Sequence, residues 1–168
     1  QIHMIPSSKS FLAGVTLCAF LCCSPKPYTK VMVRPASCSQ DVQFADCASL
    51  GHLLEFADLM KKPVFLYFYA PWIESCKRMD QYVYTQDELA SYFNNHFINY
   101  KVNAGDTSPD AALADRYGVT SFPTLLFVDS KGKIMKRHEG PATAAQVLEM
   151  GYYLHDAVEK EMVSLGSH

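Results

Sequence analysis

Phe68-Tyr69-Ala70-Pro71-Trp72-Ile73-Glu74-Ser75-Cys76-Lys77 joins an apolar run to a polar one through Ala-Pro-Trp. Immediately before it, Val64 to Tyr69 is continuously apolar and aromatic, as expected of a central strand covered on both faces. A helix is predicted to open near Trp72 and to run to about Tyr84. Further upstream, Leu50, Leu53, Leu54, Ala57 and Met60 recur at helical spacing, which predicts an amphipathic helix over 46–60 ended by Lys61-Lys62-Pro63. Downstream, Thr85-Gln-Asp-Glu88 reads as a capping box, with Thr85 as N-cap of a second helical piece reaching about Asn94. Phe97 to Val102 is a second strand. Ser108-Pro109 reads as a cap and first-turn proline, leading into a short helix over 111–117 that Gly118 ends.

Thr124 to Val128 is a third strand. Asp129-Ser-Lys-Gly132 reads as a turn, with Lys133 to His138 pairing back as a hairpin. Gly140-Pro141 breaks the chain, and Ala144, Val147, Leu148, Gly151, Leu154 and Val158 mark one face of a final helix. The order helix, strand, helix, strand, helix, strand, strand, helix predicts an α/β fold. Its mixed central sheet has parallel strands joined by crossover helices, an antiparallel hairpin, and helices on both faces.

The chain of 168 residues has room for one full core, with 49% apolar and 19% charged residues and a formal net charge of −2. That balance gives no nucleic-acid footprint. The histidines at 3, 52, 96, 138, 155 and 168 show no ligand spacing with one another or with a cysteine pair, so neither a metal nor a cofactor is expected.

Three regions are expected: a signal segment over 1–23, a tether over 24–44 and the folded domain over 45–163. Lys9 precedes an uncharged run, Phe11 to Leu21, that ends at Cys22-Cys23, the pattern of a secretory signal, for which Met4 is the natural start. The run is shorter than the roughly 20 residues of a membrane span. Cys22 or Cys23 is a candidate lipid-bearing residue, although Leu21 or Cys22 would then stand where Gly, Ala or Ser is usual; a buried N-terminal helix is the competing reading. Pro25, Pro27 and Pro35 interrupt the tether. Cys38 and Cys47 are candidates for a disulfide in an oxidising compartment. The expected location is outside the cytoplasm, in the periplasm or tethered to a membrane as a lipoprotein.

Phe68-Tyr69-Ala70-Pro71-Trp72, followed after three residues by Cys76-Lys77, resembles the active-site stretch of thioredoxins and protein disulfide isomerases. Gly118-Val-Thr-Ser-Phe-Pro123-Thr124 resembles the loop that holds the cis-proline of that family, and the hairpin turn and the Gly140 break follow at fitting distances. The broken helical stretch 76–94 is most similar to the domains of exported bacterial thiol–disulfide exchange proteins. The resemblance implies a thioredoxin fold, and for the family a Cys-x-x-Cys pair directly after the tryptophan. Here the first of those positions is Ile73 and the second is Cys76, with Glu74 and Ser75 between.

The attacking group in dithiol exchange is a thiolate, and the first turn of a helix favours it through its dipole and free N–H groups. Ile73 has no such chemistry, and the charge of Glu74 disfavours a second anion beside it. The family's buried acid on the central strand, which takes the proton of the resolving thiol, falls on Tyr67. A phenol with a pKa of about 10 is a poor base at neutral pH. Both losses point to a degenerate domain released from dithiol exchange.

Cys76 then reads as a buried apolar filler, as a lone thiol for mixed disulfides, or as a partner of Cys38 or Cys47. Trp72 caps the core or offers a binding surface, while Tyr69 reads as core. Pro123 either shapes the turn into its strand or, with Phe122 before it, exposes backbone groups for an added peptide strand. Trp72, Ile73, Phe122 and Pro123 are therefore the candidate binding residues, and an extended peptide or an envelope protein is the expected partner. The competing readings are a divergent oxidoreductase using Cys76 alone or Cys38 with Cys47, and a tethered assembly part without a groove.

Overall fold

The computed structural model describes residues 41–47, 49–105 and 110–165, with side chains as far as position 157. Nine elements follow one another: α1 (Leu50–Met60), β1 (Val64–Tyr69), α2 (Glu74–Tyr82), α3 (Asp87–His96), β2 (Ile98–Asn103), α4 (Ala111–Arg116), β3 (Thr124–Val128), β4 (Ile134–Glu139) and α5 (Ala144–Leu165). The expected order is the observed one, with the second helix divided into α2 and α3. The expected signal segment with Cys22 and Cys23, the tether's Cys38, and the Ser108-Pro109 start of α4 lie outside the described residues.

Two helix starts differ from the sequence reading. The first helix opens at Leu50, not at 46, because Ser49 caps it, its Oγ accepting from the His52 N–H at 3.4 Å. Phe44 bridges to Asn99 in parallel, and the Ala45 N–H donates to the Asn99 carbonyl at 2.8 Å. The capping box at Thr85 is also absent. The N-cap of α3 is Gln86, whose side chain makes no capping bond, while the Thr85 hydroxyl donates to the Gln81 carbonyl at 2.9 Å. A threonine that bonds back to the carbonyl four residues earlier closes the preceding helix instead of opening the next.

The sheet order is β2-β1-β3-β4. β1 runs parallel to β2 and antiparallel to β3, which is antiparallel to β4. Asp129 fixes the hairpin turn, its Oδ1 accepting from the Lys131 and Lys133 N–H groups at 2.9 Å each, and Gly132 takes the positive φ of 79° that the turn requires.

Because side chains alternate along a strand, β1 feeds two cores. Phe65 and Tyr67 join Leu125, Phe127 and the apolar faces of α2, α3 and α5. Val64, Leu66 and Phe68 join Leu126, Val128, Ile98, Val102 and the helices α1 and α4. Of the expected α5 face, Val147, Leu148 and Leu154 are buried, and the side chain of Val158 lies outside the described part. At Gly151 a Cβ would stand 2.9 Å from Cε2 of Phe93, so this glycine sets how closely α5 approaches α3.

Candidate functional site

The β1–β3 ladder places Phe68 opposite Thr124, so the turn after β1 and the turn before β3 meet at one end of the sheet. The first of these turns carries Pro71, Trp72 and Ile73. Ile73 is the N-cap of α2 in extended conformation, and no side chain caps the helix. Its carbonyl accepts from the N–H groups of Cys76 at 3.1 Å and Lys77 at 3.2 Å, so positions 73 and 76 stand one turn apart. The hydrocarbon therefore sits at the helix tip where a nucleophile would gain most from the free N–H groups.

One turn inward, Cys76 is 1% exposed and is a free thiol. Its backbone carbonyl accepts from the Tyr67 hydroxyl at 3.1 Å. Tyr67 is fully buried, and loss of solvent together with the nearby Asp80 charge drives its phenol far above its ordinary range. The position that would take a proton thus holds a group that keeps its own. Tyr84 stacks obliquely on Tyr67 with ring centres 4.8 Å apart. Burial likewise raises the Tyr84 phenol, whose hydroxyl finds no partner among the described residues.

Two charged residues that the sequence reading passed over complete this layer. The strand register sets Lys101 beside Tyr67. The Lys101 Nζ lies 2.8 Å from Asp80 Oδ2 and 4.2 Å from the centre of the Tyr69 ring. Tyr69 is half-buried under that ammonium rather than sealed in the core. The signals were present: Lys101 is the only charge within an otherwise uncharged strand, and Asp80 follows Cys76 by four, hence on the same helix face.

Trp72 is 61% exposed. Its ring rests on the loop after β2, where a Cβ on Gly105 would come within 3.0 Å of the indole. Gly105 is a second residue missed at the sequence level. Across the sheet end, the Phe122–Pro123 peptide bond is cis. Pro123 is buried and its carbonyl accepts from the Gly140 N–H at 2.8 Å. Phe122 is half-buried against the α1 and α4 layer, and among the described residues its main-chain N–H and C=O make no hydrogen bond. Trp72, Ile73, Phe122 and Pro123 therefore share one end of the sheet, but Trp72 and Phe122 lean on different supports.

Cys47 is part-buried, and its thiol donates to the Ser49 carbonyl at 3.2 Å. It packs with the α1 and α4 layer, on the opposite side of the sheet from α2, so Cys47 and Cys76 do not form a pair. Among the described residues no helix is long and apolar enough to cross a membrane.

A mixed four-stranded sheet, helices on both faces and a proline loop facing the tip of α2 define the thioredoxin fold. Residues 51–155 match the model of the thioredoxin-like domain family, and the chain belongs to that family. A thiol:disulfide interchange protein, DsbD, of Yersinia pestis is 30% identical over 111 residues, which are 64% of this chain and 19% of that protein. The chain thus spans about a fifth of the length of that relative. Among solved structures, a putative disulphide-isomerase from Bacteroides thetaiotaomicron is 30% identical with a TM-score of 0.58, over 67% of this chain and 92% of that one. The oxidised C-terminal domain of DsbD from Neisseria meningitidis is 28% identical with a TM-score of 0.55, over 68% and 99%. The domain is of the thiol–disulfide oxidoreductase type.

Proposed function

We propose that this domain no longer carries out dithiol exchange and instead binds an extended peptide or protein segment at the sheet end formed by Trp72, Ile73, Phe122 and Pro123. The observation that carries the reading is the replacement at the helix tip: Ile73 caps α2, and the thiol behind it, Cys76, is 1% exposed. A buried thiol whose neighbour is a phenol with a raised pKa has neither access nor a proton acceptor. Binding is a separate matter. An extended chain needs unpaired main-chain groups and an apolar surface beside them. Phe122 supplies the first and the exposed indole of Trp72 the second. The similarity to thiol:disulfide interchange proteins supports a place in the cell envelope, in the periplasm or tethered to a membrane.

The test joins two measurements. The protein should not accelerate the reduction of insulin by dithiothreitol, and iodoacetamide should label Cys76 only after denaturation. Rapid native labelling of Cys76 would instead establish the lone-thiol oxidoreductase. Ile73→Cys should restore a pair that closes to a disulfide, since the two positions are one helical turn apart. That variant should still turn over slowly, because Tyr67 does not take the proton. For binding, Trp72→Ala and Phe122→Ala should each weaken capture of an unfolded model polypeptide; unchanged binding in both would make the domain a structural part without a groove.

A further inference from the structure

Beside the sheet end lies a second surface, a groove between α2 and the turn into α5 with a volume of about 500 Å3. Both of its walls begin at the sheet end. One wall is α2, whose tip is Ile73, with Ser75, Met79 and Tyr82 along the groove. The other is Pro141 and Ala142, directly after Gly140, whose N–H donates to the Pro123 carbonyl at 2.8 Å. The way between the two surfaces is open: Gly140 sits at φ 91°, and a Cβ placed on it would meet nothing within 4 Å.

Met79, Val83 and Ala142 are buried and make an apolar floor. Tyr82 stands at the rim, 61% exposed. Arg78 is exposed as well, and it is the one charged side chain among the described residues that line the groove. Its helix neighbours Glu74 and Lys77 pair with each other at 3.8 Å, and Asp80 is held by Lys101 at 2.8 Å. Arg78 has no ion pair among the described residues. An apolar floor with one unpaired guanidinium on its wall selects by burial and by charge together. The planar fork of arginine matches a carboxylate and repels an ammonium.

We propose that the segment bound at the sheet end continues into this groove and is of an acidic, apolar kind. It seats an aliphatic or aromatic side chain over Met79, Val83 and Ala142, and it places a carboxylate on the Arg78 guanidinium. The inference rests on the peptide-binding reading of the sheet end and adds the class of segment that the site selects. A segment from another protein is the occupant that the charge favours. The chain's own residues 24–40 hold Lys26, Lys30 and Arg34 and no acid, so they are repelled by Arg78. The preference is local: a formal net charge of −2 by itself favours a basic ligand.

The experiment is fluorescence anisotropy of the full chain with three short labelled peptides. They share one extended core of Thr, Val and Phe and carry Glu, Ser or Lys at both ends, so the result does not depend on the direction in which the peptide lies. The Glu-ended probe should bind roughly fivefold more tightly than the Lys-ended one, with the Ser-ended probe between them. The gap should narrow in high salt. Arg78→Gln should close the gap and leave the Ser-ended probe unchanged, and Arg78→Glu should reverse the order. Tyr82→Ala, at an exposed position, should weaken all three. Equal affinities in the native chain, or a Glu preference that persists in Arg78→Gln, overturn the inference and leave the sheet-end reading standing. Unchanged binding in Tyr82→Ala has the same consequence. If the native chain binds none of the three probes, the sheet-end reading fails and this inference falls with it.

Discussion

The two faces of the sheet share their strands and differ in chemistry. The face under α1 and α4 is mostly aliphatic where the strands cross it, with Val64, Leu66, Ile98, Val102, Leu126 and Val128 beside Phe68 and Tyr100. Its tyrosines place their hydroxyls at the rim: Tyr100 donates to Asp110 Oδ1 at 3.4 Å and Tyr117 to the Gly132 carbonyl at 3.3 Å. The face under α2, α3 and α5 holds polar groups in its interior. Tyr67, Tyr84, Cys76 and Asn99 are all buried there, and the Asp80–Lys101 pair closes the layer from the side. Of these groups, the Tyr84 hydroxyl and Asn99 Oδ1 have no partner among the described residues. One face is mainly apolar, and its buried hydroxyls are bonded. The other gives up some of that burial to carry polar groups beneath the tip of α2.

The comparison is sharpest where a side chain is truncated in the aliphatic layer. Leu66 is fully buried, and Leu66→Ala should cost about 2–5 kcal/mol, read as a fall in the urea midpoint. A cost below that of removing a hydroxyl from the opposite face would break the contrast. The next effect is alkaline. Burial raises the phenols of Tyr67 and Tyr84 above the ordinary value of 10.0, and that of Tyr100 to about 12. The native state then holds protons that the unfolded chain releases. The contribution of these phenols should be constant below about pH 10 and decline above it, by about 1.4 kcal/mol per pH unit for each phenol still neutral when folded. Urea midpoints measured from pH 9 to pH 12 should flatten more in Tyr67→Phe/Tyr84→Phe than in Tyr100→Phe. Equal flattening per phenol removed, that is, twice as much in the double variant as in Tyr100→Phe, would mean that the two faces protect their phenols alike.

Smaller effects separate the polar groups from one another. Tyr67→Phe removes the bond to the Cys76 carbonyl and should cost about 1 kcal/mol by urea denaturation. Tyr84→Phe removes a hydroxyl that has no partner among the described residues, so the same measurement should show no loss or a slight gain. A loss in Tyr84→Phe as large as that in Tyr67→Phe would show that the Tyr84 hydroxyl is bonded.

The fold was legible because its signals are local and repeated. The uncharged run of β1, the helical spacing in α1 and α5, and the turn residues at Asp129 to Gly132 each fix an element without reference to the rest. The errors fell at helix ends, where side-chain bonds compete. Ser49 captured the cap of α1, and Thr85 bonded backward into α2. The site was half legible. Trp72, Ile73, Cys76, Phe122 and Pro123 stand at marked positions in the sequence. Lys101, Asp80 and Gly105 do not, because their meaning depends on strand register, helix placement and the path of a loop.

The sequence by itself determined which atoms are available: a hydrocarbon at position 73, a sulfur at 76 and a phenol at 67, as well as the order of strands and helices that carries them. Only the tertiary structure decided which of those atoms meet. It buried the sulfur, bonded the phenol to the carbonyl of Cys76, laid the indole on a glycine and set Arg78 on a groove between α2 and the start of α5. Identity and local periodicity are written along the chain, whereas proximity between distant residues comes from packing, which no single stretch of sequence contains.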